Sequence, residues 1–261
     1  MGAKKQTIVK ILRKKINNWI ETIPDEELQK LIKRDVLVSG GSIVSLLLGE
    51  EVNDYDLYFK TTETAERLLS FYLYVADASD VKVLVEGSRV KPLIGDRGQI
   101  VCDGKENYAV RCITDNAITL NNDIQLIIRF TGSSHEIHKN FDFVHATCVY
   151  DFCDNKLNLP EAALTSILAK DLVFINSVYP VAALLRIRKF INRGWRISAG
   201  QMVKIILKTN KLDLYDLETL KDQLIGVDSL YMSEFIKEVA DRGEVNYTVL
   251  AEILDSVFDY E

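Results

Sequence analysis

The sequence predicts an α+β protein, a mixed β-sheet domain over residues 1–155 followed by an all-helical domain over 156–261. Two periodicities and a charge asymmetry predict it. In the first part, short runs rich in β-branched and aromatic residues recur at 36–39, 55–59, 81–86, 108–113, 124–130 and 141–149. Turn signals such as Gly95-Asp96-Arg97-Gly98 and Asp103-Gly104 separate them. Beyond Pro160 the strand pattern stops. Apolar residues then repeat at three- and four-residue spacing over 160–172, 180–192, 198–208, 214–225, 229–240 and 246–258, with Pro180, Gly194, Gly226 and Gly243 in start and stop positions. Charge divides the second part again. Residues 172–212 carry no Asp or Glu and eight basic side chains, whereas 213–261 hold thirteen acids against Lys221, Lys237 and Arg242. The overall charge of -6 is therefore an average over segments of opposite sign.

With 48% of 261 residues apolar and both charge signs interspersed, the chain can bury a sizeable core and is not of disordered composition. A uniformly basic, nucleic-acid-coating protein is excluded; a local basic patch is not. No apolar run reaches the roughly 18 residues that span a bilayer. The basic start (Lys4, Lys5, Lys10, Arg13, Lys14, Lys15) is not followed by a signal-peptide core. A soluble, unsecreted, cytoplasmic protein with no membrane partner is expected. Cys102, Cys112, Cys148 and Cys153 form no CxxC pair and read as reduced thiols. His135, His138 and His145 with Cys148 and Cys153 invite a zinc site, but no pair has the spacing of a closed one, so core or surface roles are expected.

In chain order, an amphipathic helix is expected over 7–20, its basic face serving as a solvated surface or an accessory phosphate contact. The strand 36–39 then runs into Ser39-Gly40-Gly41-Ser42, a helix of about two turns follows over 42–48, and Gly49 stops it. The next strand opens with Asp54-Tyr55-Asp56. Residues two apart on a strand share a face, so both carboxylates project together, which suits Mg²⁺, a hard cation with a preference for carboxylate and phosphate oxygens. The glycines let backbone approach a triphosphate, and the free amides of the following helix start favour an anion. These parts describe a site for nucleotidyl or phosphoryl transfer assisted by two metal ions. A further helix is expected over 64–75.

Gly40-Gly41, twelve intervening residues and Asp54-x-Asp56 resemble the signature of the DNA polymerase β-like nucleotidyltransferase superfamily. With Leu46-Leu47-Leu48-Gly49 before the acidic pair, the segment is most similar to the head domains of CCA-adding enzymes and bacterial poly(A) polymerases. Tyr179-Pro180 through Arg186, Arg188, Lys189, Arg193, Gly194 and Trp195 is similar to the arginine-bearing helix that follows those heads. Val44 and Ser45 stand where that pattern carries an Arg-Asp pair, and no match to the family's base-selecting motif is present.

The resemblance implies a nucleotidyltransferase fold and a Mg²⁺-dependent, template-independent transfer of a nucleoside monophosphate, from ATP or CTP, to an acceptor hydroxyl. It also implies roles for particular residues. Gly40, Gly41 and Ser42, with Arg186 and Lys189, would bind the triphosphate; Asp54 and Asp56 would hold two Mg²⁺ ions; Arg188, Arg193 and Arg196 would guide an RNA 3′ end, tRNA included. A third carboxylate on a neighbouring strand is expected at Asp142, flanked by apolar residues in Phe141-Asp142-Phe143-Val144. The competing placement is the strand 124–130, where Gln125 would take that position and the third ligand would be missing. Two other readings stay open: transfer to a protein or small-molecule hydroxyl, and an inactive member of the fold that acts by binding. Oligomeric state is not legible.

Overall fold

A computed structural model describes residues 4–95, 98–224, 237–239, 241–242 and 246–258. The chain forms two compact units. The first comprises Met1–Lys139 and His145–Ile167, and the second Asn140–Val144 and Leu168–Glu261.

The first unit begins with α1 (Lys5–Ile20), whose Ile8, Leu12, Ile16, Trp19 and Ile20 form one buried stripe. α2 (Glu26–Asp35) is capped by the Asp25 carboxylate, which accepts from the Glu27 and Leu28 amides, and it ends in Lys33 and Arg34, each charge matching the helix dipole. The chain then enters β1 (Val36–Ser39), α3 (Gly41–Leu48), β2 (Tyr55–Phe59) and α4 (Thr62–Val75). Trp19 Nε1 donates to Tyr72 Oη at 2.7 Å, tying α1 to α4 through a buried bond. The strands β3 (Val83–Glu86), β4 (Arg89–Pro92), β5 (Gln99–Val101), β6 (Val110–Thr114), β7 (Ala117–Leu120) and β8 (Ile124–Thr131) follow, then α5 (Ser134–His138), β9 (Val149–Asp151), β10 (Lys156–Asn158) and α6 (Glu161–Ala169).

Eight of these strands form one sheet in the order β10-β9-β1-β2-β8-β7-β6-β5, and β3 with β4 makes a separate hairpin. β1 is buried at every position and is antiparallel to both neighbours, β2 and β9. β2 and β8 run parallel, with Tyr55 beside Ile124, Asp56 beside Gln125 and Leu57 beside Leu126. The sheet is therefore mixed, as expected from the alternation of strands and helices.

The second unit contains β11 (Asp171–Leu172), α7 (Pro180–Asn192), β12 (Arg196–Ile197), α8 (Ala199–Thr209), α9 (Leu217–Gln223) and α10 (Tyr247–Phe258). Its helical core gathers Leu220, Leu224, Val239, Leu250 and Ile253, with Val181 and Leu185 of α7 packed against them. Of the helix expected over 229–240, residues 237–239 are helical and the others lie outside the described residues.

The expected strand 141–149 is the main departure. Only its end is a strand, in β9; Val144–Thr147 is a 3₁₀ turn. The physical reason is that 140–144 belongs to the second unit. Val144 N–H donates to the Val173 carbonyl and the Asp142 carbonyl accepts from Ile175 N–H, both at 2.9 Å. The Phe143 ring stands edge-on to Phe174 and Phe190 at centroid distances of 6.2 and 5.9 Å. Burying that ring among aromatics outweighs the local β propensity of the segment. Short strands of two to four residues, β4, β5, β7, β10, β11 and β12, also fall outside the expected set.

Candidate nucleotide and metal site

The site is built where β1 ends. Ser39 is buried and its Oγ donates to the Cys148 carbonyl at 2.8 Å, while His138 Nε2 stands 2.9 Å from the same oxygen. Burial, with His135's charge a smaller cause, pulls the His138 ring down to about 4, so it is neutral at pH 7. With Oγ donating to Cys148, the ring's Nε2–H is the donor to Oγ. The next amide, Gly40 N–H, donates to the Ala146 carbonyl at 3.1 Å. Residues 138 and 146–148 thus hold the end of β1 in place, a role for which the sequence carries no spacing signal.

Gly40 has φ +93°, a conformation that penalises any side chain. A Cβ there would stand 3.1 Å from Asp56 Oδ2, so the turn passes directly against the carboxylate. Gly41, the first residue of α3, is exposed and a Cβ on it would meet nothing within 4 Å. Ser42 follows with 1% of its surface exposed, and its Oγ has no hydrogen-bond partner among the described residues. A buried hydroxyl left unsatisfied costs roughly 1–3 kcal/mol, which a ligand oxygen would recover. α3 ends at Gly49, left-handed at φ 73°.

Asp54 is exposed at the entrance of β2 and Asp56 half-buried within it. The Asp56 carboxyl is pushed up to about 7, first by burial and second by the charge of Asp54. Tyr55, between them, faces the other way: Lys15 Nζ lies 4.7 Å over its ring and 3.7 Å from Asp123. A cation placed between Asp54 and Asp56 would relieve their repulsion, and two carboxylates completed by phosphate oxygens are a sufficient set for Mg²⁺. Among the described residues no group of three or more His, Cys, Asp or Glu is arranged to hold a metal ion. Cys148 is buried, its thiol pushed up to about 11 by burial, and Cys153 is exposed.

The other expected site residues belong to the second unit. Asp142 sits in a bend rather than a strand; its carboxylate accepts from Ser177 Oγ at 2.6 Å and is ion-paired with Arg186 of α7. On the same helix Arg188 and Lys189 are exposed, as is Arg193 after it. Arg196 pairs with Asp171 at 3.0 Å. In the first unit, the residue in register with Asp56 on the neighbouring strand is Gln125.

Fold and site define an α+β protein in which a glycine turn, at the end of a central strand of a mixed sheet, is laid against a carboxylate of the neighbouring strand. Residues 10–170 match the model of the Gabija anti-defense 2 family, and the chain belongs to that family. It is 24% identical over 241 residues to Gabija anti-defense 2 of Bacillus phage SPbetaL7, covering 90% of this chain and 52% of that protein. The chain thus spans about half the length of the curated relative it matches. Among solved structures it is similar to the Thermotoga maritima CCA-adding enzyme complexed with tRNA, at 14% identity and a TM-score of 0.42, over 92% of this chain and 55% of that one. A second is the Bacillus stearothermophilus CCA-adding enzyme in complex with CTP, at 13% identity and a TM-score of 0.41, over 82% and 51%.

Two predictions follow from the geometry. Gly40→Ala should lower stability by about 1–3 kcal/mol through its left-handed backbone and its contact with Asp56. Gly41→Ala should melt like the parent, because a methyl there meets nothing within 4 Å; thermal melts read both variants. The second prediction concerns pH. Folded Asp56 keeps its proton to about pH 7, whereas unfolded it releases it near the ordinary aspartate value, so between these pH values the folded chain binds more protons and stability falls as pH rises. Asp56→Asn should therefore melt above the parent at pH 8, with the difference gone below about pH 4.

Proposed function

We propose that this chain binds a Mg²⁺–nucleoside triphosphate at the end of β1 and moves its nucleoside monophosphate to an acceptor hydroxyl, as the chemical part of an anti-defence role. The observation that carries the reading is the contact of the Gly40 turn with Asp56, which sets a phosphate-accepting backbone and a pair of carboxylates side by side. Gly41 leaves the approach open, the first amides of α3 point at the phosphates, and Ser42 Oγ gains the partner it lacks. Asp54 and Asp56 hold the metal. When bound, Mg²⁺ supplies charge neutralisation at the phosphate oxygens.

In the transfer, the acceptor oxygen forms a bond to the α-phosphorus while the bond from that phosphorus to the bridging oxygen breaks. Pyrophosphate departs with the electron pair, and the hydroxyl proton passes to solvent or to a carboxylate. The acceptor best matched to the acid-free stretch of the second unit is an RNA 3′ end, contacted through the exposed Arg188 and Arg193. The curated relative's name points to the Gabija system as the target of this chemistry.

The Asp54→Asn, Asp56→Asn double variant should incorporate no labelled nucleotide into total RNA or protein, and should no longer protect a phage against Gabija in a host that carries it. Full incorporation by the double variant would sink the mechanism, and label in protein rather than RNA would move the acceptor. Replacing Arg188 and Arg193 together with Ala should weaken RNA binding without altering nucleotide binding. The slope of log affinity against log salt should then fall by up to about 1.4, since each phosphate contact on a single strand contributes roughly 0.7.

A further inference from the structure

β2 and β8 are paired in parallel so that Asp56 lies beside Gln125 and Leu57 beside Leu126. The two leucines are fully buried, while Asp56 and Gln125 are both half-exposed, so the acid and the amide share the face opposite the leucines. Gln125 is thus the side chain that the neighbouring strand presents next to the metal-binding carboxylates. Its amide is neutral, and its Nε2 is turned to Thr119 Oγ1 of β7 at 3.5 Å.

The acid nearest in sequence on β8's entrance, Asp123, is 3.7 Å from Lys15, which covers Tyr55 on the other face of β2. Among the described residues no third His, Cys, Asp or Glu joins Asp54 and Asp56 in a metal-holding group. Two carboxylates and a triphosphate match one Mg²⁺. A second ion, the one that would activate an incoming hydroxyl, requires anionic protein oxygens of its own.

We propose that Gln125 limits this site to a single Mg²⁺ ion, so that the chain transfers its nucleotide slowly. The proposal rests on the reading of the β1 end as a Mg²⁺–triphosphate site and narrows the number of ions and the turnover there.

The test counts metal in the purified full chain with α,β-methylene ATP and α,β-methylene CTP as the nucleotides and Mn²⁺ as the probe, free Mn²⁺ being read by electron paramagnetic resonance. One nucleotide-dependent Mn²⁺ per chain is expected, rising to two in Gln125→Glu and staying at one in Gln125→Ala. Pyrophosphate release from ATP or CTP should rise about tenfold or more in Gln125→Glu, within the range a positioned ionisable group supplies. Two ions in the parent chain, or one in a folded Gln125→Glu, would overturn the proposal. Should Gln125→Glu fail to fold by circular dichroism, the parent's count decides alone. Binding of neither nucleotide nor Mn²⁺ would instead overturn the site itself, an outcome distinct from a count of two.

Discussion

The passage of Gly40 against Asp56 is the constraint on which the rest of the candidate site depends. A side chain on the turn would meet the carboxylate, and a turn held elsewhere would leave the α3 amides far from the Asp56 carboxyl. The turn is secured by bonds that the glycines themselves cannot supply. Ser39 is anchored to Cys148 and His138, and Gly40 N–H to Ala146. β1, enclosed by β2 and β9, fixes the height at which the turn leaves the sheet. The buried, partnerless Ser42 hydroxyl and the raised Asp56 carboxyl are costs of this arrangement: one lacks a donor-acceptor partner, the other a counter-charge.

The second unit follows a different logic. It takes residues 140–144 from a stretch flanked on both sides by the first unit, and it uses them as core and as an ion pair. Phe143 joins Phe174 and Phe190, and Asp142 neutralises Arg186 while accepting from Ser177. Arg186 is half-buried and ion-paired with Asp142, whereas Arg188 and Lys189, two and three positions further along α7, are exposed. The basic surface of this unit therefore runs along the acid-free stretch, where Arg188, Lys189, Arg193, Arg196, Lys204, Lys208 and Lys211 are all exposed and Arg186 alone is half-buried.

Much of the candidate site was legible in the residues themselves. Gly-Gly before a short apolar helix, a glycine stop and an Asp-x-Asp strand opening are local patterns, and local backbone preferences produced β1, α3 and β2 at the positions the spacing predicts. The helical half beyond Pro160 was legible for the same reason, since three- and four-residue periodicity reflects a single buried face. What periodicity cannot convey is which strand lies beside which. Asp142 was the expected neighbour of the acidic pair and Gln125 the competing one, since each stands among apolar residues with β propensity.

Pairing and threading decided between such alternatives. Parallel pairing of β2 with β8 set Gln125, not an acid, in register with Asp56, and recruitment of Phe143 into an aromatic cluster converted an expected strand into a bend and a 3₁₀ turn. The sequence by itself determined the turn, the helix, the two carboxylates and the split between a sheet-rich and a helical half, all consequences of short-range sterics and of period. Only the tertiary structure decided the neighbours of those carboxylates, the partner of Arg186 and the tethers of Ser39. Contacts between residues far apart in the chain are selected by burial and satisfaction of the whole, and leave no periodic trace in the sequence.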